Sequence, residues 1–134
     1  MAVSPANRSG SDPLIVLVVE DEFLLRCDVA EQLQDCGCTV LEADSGERAI
    51  AMCKSQMPVD VVLTDINLNG GPSGWDVAEA ARAARPGVGV VYASGNGVDH
   101  SRCVSGSVFF SKPYRVSDIL DACRRLSRTR RPRT

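Results

Sequence analysis

The sequence predicts an α/β fold in which five parallel strands form a doubly wound sheet with helices on both faces. Short runs of Val, Ile and Leu recur along the 134 residues and alternate with segments whose apolar residues have helical spacing. Residues 14–19 are apolar without alternation, which is typical of a strand buried on both faces of a parallel sheet. Right-handed crossovers place the helices on both faces of such a sheet, and the chain length fits one domain.

The first helix is expected at residues 22–36, because apolar residues recur there at helical spacing and Gly37 is a favoured residue just after a helix end. The second strand follows at residues 39–42. Ser45 is suited to cap a second helix, which ends before Pro58.

The third strand is predicted at residues 59–64, and a glycine-rich loop follows at residues 70–74. A third helix at residues 75–84 and a fourth strand at residues 88–93 continue the alternation.

The last part of the chain departs from this regular alternation of strands and helices. Residues 96–106 have a weak pattern and predict only a short or irregular fourth helix, and a short fifth strand follows at residues 108–110. The final helix is expected at residues 116–127.

The two ends differ in composition from the rest. Residues 1–12 are rich in Ser, Pro, Asn and Gly and are interpreted as a disordered leader, without the apolar segment of a secretory signal. Six of the fifteen basic residues lie within 124–133, which leaves nine basic against all seventeen acidic residues in 1–123. We therefore expect one domain at 13–127 and a basic tail at 128–134. The net negative charge of the body of the chain is expected to repel nucleic acid.

The chain is expected in the cytoplasm, without a membrane segment, because no apolar run approaches the roughly 20 residues that cross a bilayer. Six cysteines without an export signal are expected as reduced thiols. Cys36 and Cys38 are weak candidates for a metal or redox pair, since a second pair at suitable spacing is missing. Helical spacing instead predicts that Cys36, Cys53 and Met57 pack in the core.

Polar side chains follow four of the predicted strands: Glu20 and Asp21, Asp65, Ser94, and Lys112. The carboxyl ends of parallel strands meet at one edge of the sheet, where ligands bind. Three carboxylates there repel one another unless a cation lies among them, and oxygen ligands without His or Cys favour Mg²⁺. With the Ser94 hydroxyl and the Lys112 ammonium as donors, this pattern predicts a phosphoryl group held on a carboxylate.

Residues 13–127 resemble the receiver domain of two-component response regulators, which has the flavodoxin-like, chemotaxis-type fold. The motifs that carry the resemblance are Val18-Val19-Glu20-Asp21-Glu22, Leu63-Thr64-Asp65-Ile66-Asn67-Leu68, Ala93-Ser94-Gly95 and Phe109-Phe110-Ser111-Lys112-Pro113-Tyr114.

The resemblance implies a role for each matched residue. Asp65 is the implied phospho-acceptor. The implied Mg²⁺ ligands are Asp21 directly, Glu20 through water, Asp65, and Asn67 through its carbonyl.

Ser94 and Lys112 are implied to hold the phosphoryl oxygens. Phe109 is implied as the aromatic switch residue that responds together with Ser94, and Pro113 as the proline that follows a cis peptide bond.

The chain also departs from the receiver pattern. Glu20 replaces the usual aspartate, and Asn69 stands where a proline is common, at the fourth position after the acceptor. The loop at residues 70–74 is one residue longer than usual, and the segment 94–112 is about four residues shorter. The shortened segment belongs to the usual output face of receivers, so a dimer through that face is left open.

The resemblance implies a stand-alone phospho-receiver that accepts a phosphoryl group from a histidine kinase or a histidine phosphotransfer protein. Its self-phosphorylation and self-dephosphorylation would need Mg²⁺, and it would otherwise not be an enzyme. Output is expected through contact with an unknown output protein, or as a phosphate relay or sink.

Other functions are weighed against this one. The alternative is an adaptor that binds an acidic partner through the arginine tail. An aspartyl-phosphate phosphatase would need an Asp-x-Asp pair after the first strand. Nucleotide binding would need a glycine-rich loop where Glu20, Asp21 and Glu22 stand.

Overall fold

A computed structural model describes residues 12–95 and 100–130. They form a five-stranded parallel sheet with the strand order 2-1-3-4-5, so the predicted doubly wound fold is confirmed. The strands are β1 (Ile15–Val19), β2 (Thr39–Ala43), β3 (Val61–Asp65), β4 (Gly89–Ser94) and β5 (Val108–Ser111). The α-helices are α1 (Phe23–Asp35), α2 (Gly46–Lys54), α3 (Gly74–Ala84) and α4 (Val116–Arg130).

Most element boundaries lie within one or two residues of the prediction. Glu22 is the N-cap of α1 rather than a residue of its first turn. The helix α4 runs to Arg130, so residues 128–130, assigned to the tail, are helical. The rest of the predicted tail, at 131–134, and residues 1–11 of the predicted leader lie outside the described residues.

The connection between β4 and β5 contains a single 3-10 turn, His100–Arg102, in its described part. The prediction of a short or irregular fourth helix also covered residues 96–99, which lie outside the described residues. The described residues thus contain four α-helices, and α4 is the helix that follows β5.

The core consists of two apolar layers, one on each face of the sheet. On one face, Leu17 and Val19 pack with residues of α2 and α3. On the other face, Val16 and Val18 pack with residues of α1 and α4. Central strands are therefore apolar at consecutive positions, which explains the unbroken run that predicted β1.

Some predicted core positions are exposed. Cys36 is exposed at the end of α1, and Met57 has 38% of its surface exposed, so both predictions were wrong. Both residues lie at or beyond a helix end, where helical spacing no longer sets the direction of a side chain. Cys38, Cys53 and Cys123 are buried thiols. Among the described residues, no helix is long and apolar enough to span a membrane.

The start of α3 lies directly against the end of β3. The Gly74 N–H donates to the Ile66 carbonyl at 2.8 Å, and a Cβ on Gly74 would collide with the Asp65 carbonyl oxygen. Ser73 and Asp76 form a reciprocal capping box at this end of the helix. This close approach fixes the backbone that follows Asp65.

Candidate functional site

The three carboxylates predicted to form a site converge at the carboxyl ends of β1 and β3. Glu20, Asp21 and Asp65 each offer one oxygen, and these oxygens lie within 4.8 Å of one another. Val19 pairs with Thr64 in the parallel register, which brings the residues that follow each strand side by side. The convergence therefore results from the strand order.

Lys112 lies among these carboxylates. Its Nζ donates to Glu20 Oε1 at 2.9 Å and to Asp65 Oδ2 at 3.0 Å. Its backbone N–H donates to the Ser94 carbonyl at 2.8 Å, which continues the pairing of β4 with β5. The peptide bond between Lys112 and Pro113 is cis, as the resemblance implied.

Glu20 is the most deeply placed carboxylate, with 6% of its surface exposed. Burial raises the pKa of Glu20 above its usual range, although hydrogen bonds from Lys112 and from the Glu22 N–H oppose this. Burial alone would lower the pKa of Lys112, but its hydrogen bonds to Glu20 and Asp65 outweigh that effect and raise it. The ammonium form of Lys112 is thus favoured.

The loop after β3 places two backbone donors on the carboxylates. The Asn67 N–H donates to Asp65 Oδ1 at 3.2 Å, and the Asn69 N–H donates to Asp21 Oδ2 at 2.8 Å. The Asn67 side chain is exposed. Both carboxylates are therefore oriented by the same loop.

Ser94 and Phe109 occupy neighbouring strands near the site. Ser94 is 2% exposed at the end of β4 and pairs with Ser111 of β5. Phe109 pairs with Tyr92 and packs, half-buried, on the α2 and α3 side of the sheet. The structure therefore brings Ser94 to the edge of the carboxylate cluster. Phe109 lies in the apolar layer between the sheet and the helices α2 and α3.

The sequence reasoning missed the aromatic pair beside Phe109. The Trp75 and Tyr92 ring centroids are 4.9 Å apart, and the fully buried Tyr92 accepts a hydrogen bond from the Val104 N–H through its hydroxyl at 3.1 Å. The tyrosine hydroxyl thereby ties the β4–β5 connection to the core. The presence of a Tyr in an otherwise aliphatic strand was the only available signal, since a buried phenol needs a partner.

Two arginines were also missed. Arg26 donates from Nη1 to the Glu20 carbonyl at 2.9 Å and from Nε to Glu42 Oε1 at 3.1 Å. Arg102 pairs with Asp76 at 3.1 Å and with Glu79 at 2.9 Å, which ties the 3-10 turn to α3. The contacts with Glu42, Asp76 and Glu79 join residues 16 to 26 positions apart, so no local pattern indicated them.

The donor set fits a hard divalent cation. All three clustered side chains are carboxylates, and a carboxylate group of this kind is compatible with Mg²⁺, which prefers oxygen ligands and retains several waters. The arrangement can also hold an anionic group between Lys112 and a bound cation.

The chain belongs to the response regulator receiver domain family, which it matches over residues 16–124. This is the class that the fold and the carboxylate cluster define, and phospho-acceptor signalling is the function consistent with it. The predicted receiver fold and family are thus confirmed.

Several proteins of known sequence or structure are similar to this chain. A response regulator receiver protein from Sinorhizobium medicae has 34% identity and a TM-score of 0.85, with 90% of this chain and 98% of that chain covered. The probable transcriptional regulatory protein TcrX of Mycobacterium tuberculosis is 31% identical over 126 residues, with 91% of this chain and 53% of that protein covered. The transcriptional regulatory protein PdtaR of the same species is 30% identical, with 82% and 55% covered. The chain thus spans about half the length of these two curated relatives.

Proposed function

We propose that Asp65 accepts a phosphoryl group from a histidine kinase or a histidine phosphotransfer protein. The observation that carries the proposal is the position of Lys112, whose ammonium joins Asp65 to Glu20 at the edge of the carboxylate cluster. An oxygen of Asp65 attacks phosphorus, the P–N bond of the phosphohistidine donor breaks, and its electron pair remains on the imidazole nitrogen. The product is a mixed anhydride on Asp65.

Glu20, Asp21, Asp65 and the Asn67 carbonyl would hold Mg²⁺. The cation would supply positive charge to the phosphoryl oxygens, which otherwise meet three carboxylates. Asp21 is partly exposed, whereas Glu20 is buried against Lys112. This supports direct coordination by Asp21 and coordination through water by Glu20.

Lys112 and Ser94 would hold the oxygens of the phosphoryl group. Lys112 already contacts Asp65 Oδ2, and Ser94 ends the neighbouring strand, where Ala93 pairs with Asp65. These two donors lie on the side of Asp65 that faces β4 and β5. Bound Mg²⁺ would supply positive charge on the other side of the phosphoryl group.

We further propose that Ser94 and Phe109 form the switch. When Ser94 moves towards the phosphoryl group, the space beside Tyr92 changes, and Phe109 shifts inward within the layer that also contains Trp75. Phosphorylation would in this way shift a pre-existing equilibrium between two arrangements of β5 and the connection before it.

A groove beside the site suits the phosphoryl donor. Its volume is about 640 Å³, and its lining includes Leu25 and Val29 of α1 together with Pro113 and Tyr114 after β5. Phe23 and Leu24, at the start of α1, are 63% and 76% exposed. An apolar patch next to Lys112 can bind a helix of the donor while its phosphohistidine reaches Asp65.

We propose accordingly that the chain acts in the cytoplasm and that its output passes through contact with another protein. The function is tested by the intact mass of the protein after incubation with acetyl phosphate, with and without Mg²⁺. The wild type should gain one phosphoryl group only with Mg²⁺, Asp65→Asn none, and Asp44→Asn, at an exposed position, as much as the wild type. A full equivalent on Asp65→Asn would contradict the proposal.

A further inference from the structure

The backbone N–H of Asn69 contacts a carboxylate of the proposed metal site. It donates to Asp21 Oδ2 at 2.8 Å, the shortest of the hydrogen bonds described for Asp21 and Asp65. The two residues are 48 positions apart, so this bond joins the end of β1 to the loop after β3. A proline at position 69 could not form this bond, because proline has no N–H to donate.

The loop that carries this amide is held at several points. The Asn67 N–H is bonded to Asp65 Oδ1, and the Gly74 N–H is bonded to the Ile66 carbonyl. Between them, the Pro72 carbonyl packs so closely on α2 that a Cβ on Gly46 would collide with it. The position of the Asn69 amide is therefore determined by the fold around it.

The turn that follows Asn69 depends on glycine. Gly70 and Gly71 have φ values of 68° and 64°, in the left-handed region that favours glycine. This turn lets the chain leave the carboxylate cluster directly after Asn69 and reach Pro72 against α2. The two glycines thus allow the turn that follows the Asn69 N–H and its bond to Asp21.

We propose that the Asn69 N–H is a positioning donor for Mg²⁺ binding, which fixes one oxygen of Asp21 so that the carboxylate faces Asp65 and Glu20. The inference rests on the proposed function, since it deepens the account of the same metal site. A hydrogen-bond donor on a metal ligand holds that ligand in one orientation before the metal binds, so less conformational freedom is lost on binding. Removal of such donors lowers metal affinity about 10–100-fold.

The test compares two substitutions of Asn69 by calorimetric titration with Mg²⁺. Asn69→Pro removes the N–H, whereas Asn69→Ala removes only the side chain and is the matched control. We expect Asn69→Ala to bind Mg²⁺ like the wild type and Asn69→Pro to bind about tenfold more weakly. Equal affinity in all three proteins, or equal weakening in both variants, would overturn the inference. Lack of Mg²⁺ binding by the wild type would instead contradict the proposed function.

A second measurement does not depend on how Asn69→Pro folds. Hydrogen exchange at the Asn69 amide, followed by NMR without added metal, reports the bond itself. Exchange should be slow in the wild type and in Asp21→Asn, which keeps an acceptor oxygen, and at least tenfold faster in Asp21→Ala. The same exchange rate in Asp21→Ala and Asp21→Asn would show that the bond to Asp21 does not hold this amide and would overturn the inference.

Discussion

Lys112 Nζ lies 3.0 Å from Asp65 Oδ2, so the chain's own cation contacts the residue proposed to accept the phosphoryl group. The same ammonium lies 2.9 Å from Glu20 Oε1. It therefore neutralises part of a cluster of three carboxylates, and it is also in place to hold an incoming phosphoryl oxygen.

Replacement of Lys112 by Ala should impair both stability and phosphoryl uptake. The substitution leaves Glu20 and Asp65 without their shared cation, and we expect the free energy of unfolding to fall by about 2 kcal/mol at pH 7. Urea denaturation measures this change. Lys54, the other lysine in the sequence, is exposed, so Lys54→Ala is the matched control and should leave stability nearly unchanged. Equal stability of the two variants would contradict the role of Lys112.

Gly74→Ala should destabilise the domain, because the added Cβ would collide with the Asp65 carbonyl oxygen and lie 2.7 Å from the Ile66 Cα. Overpacking of this kind costs about 1–3 kcal/mol. Gly95→Ala is the control, since a Cβ there has no atom within 4 Å, and its effect should stay within about 0.5 kcal/mol. Thermal unfolding of both variants decides the prediction, which fails if Gly74→Ala is as stable as Gly95→Ala.

Asp76 should stabilise α3 in a pH-dependent manner. The Ser73 N–H, followed by Arg102, holds the pKa of this carboxyl below its usual range. The folded pKa lies below the unfolded one, so the contribution is complete above the unfolded pKa and is lost as the pH falls through the folded value. Because the side chain is 47% exposed, we expect Asp76→Asn to cost about 1 kcal/mol at pH 7, as for a typical helix cap.

The measurement for Asp76 is urea denaturation of both proteins between pH 7 and pH 3. The difference between wild type and Asp76→Asn should shrink as the pH falls below about 4, where the unfolded carboxyl gains its proton. Asp121→Asn, on an exposed part of α4, serves as the control for the change in charge. A constant difference for Asp76→Asn across this range would refute the assignment.

Tyr92→Phe should loosen the connection between β4 and β5. The substitution removes the acceptor of the Val104 N–H while it keeps the ring that packs on Trp75. Hydrogen exchange at residues 103–105 should accelerate, and stability should fall by about 1–2 kcal/mol. Tyr114→Phe, which changes the other tyrosine of the sequence, is the control. Unchanged exchange at residues 103–105 in Tyr92→Phe would show that the hydroxyl does not hold this segment.

Local sequence patterns were sufficient to predict the sheet and the polar side chains that meet at its edge. Unbroken apolar runs identified the central strands, and the polar residues that follow them, such as Asp65 and Lys112, meet because parallel strands end on the same side. The same patterns predicted Cys36 in the core, where the structure exposes it, because periodicity loses its meaning at a helix end.

The contacts that orient the side chains of the site could be identified only from the structure. The bond from the Asn69 N–H to Asp21, and the pairing of Arg102 with Glu79, join segments that only tertiary folding brings together. A backbone N–H leaves no signature in the residue type, other than the absence of proline. Sequence reasoning therefore predicted the carboxylates that the structure brings together and missed the groups that position them.

The central claim is that Asp65 carries the phosphoryl group, and chemical mapping of the acceptor tests it most directly. After incubation with acetyl phosphate and Mg²⁺, borohydride reduces an aspartyl phosphate to homoserine, and peptide mass spectrometry then locates the changed residue. We expect homoserine at position 65 alone, and none when Mg²⁺ is left out. Homoserine at Asp21, or at any other aspartate with Asp65 unchanged, would contradict it.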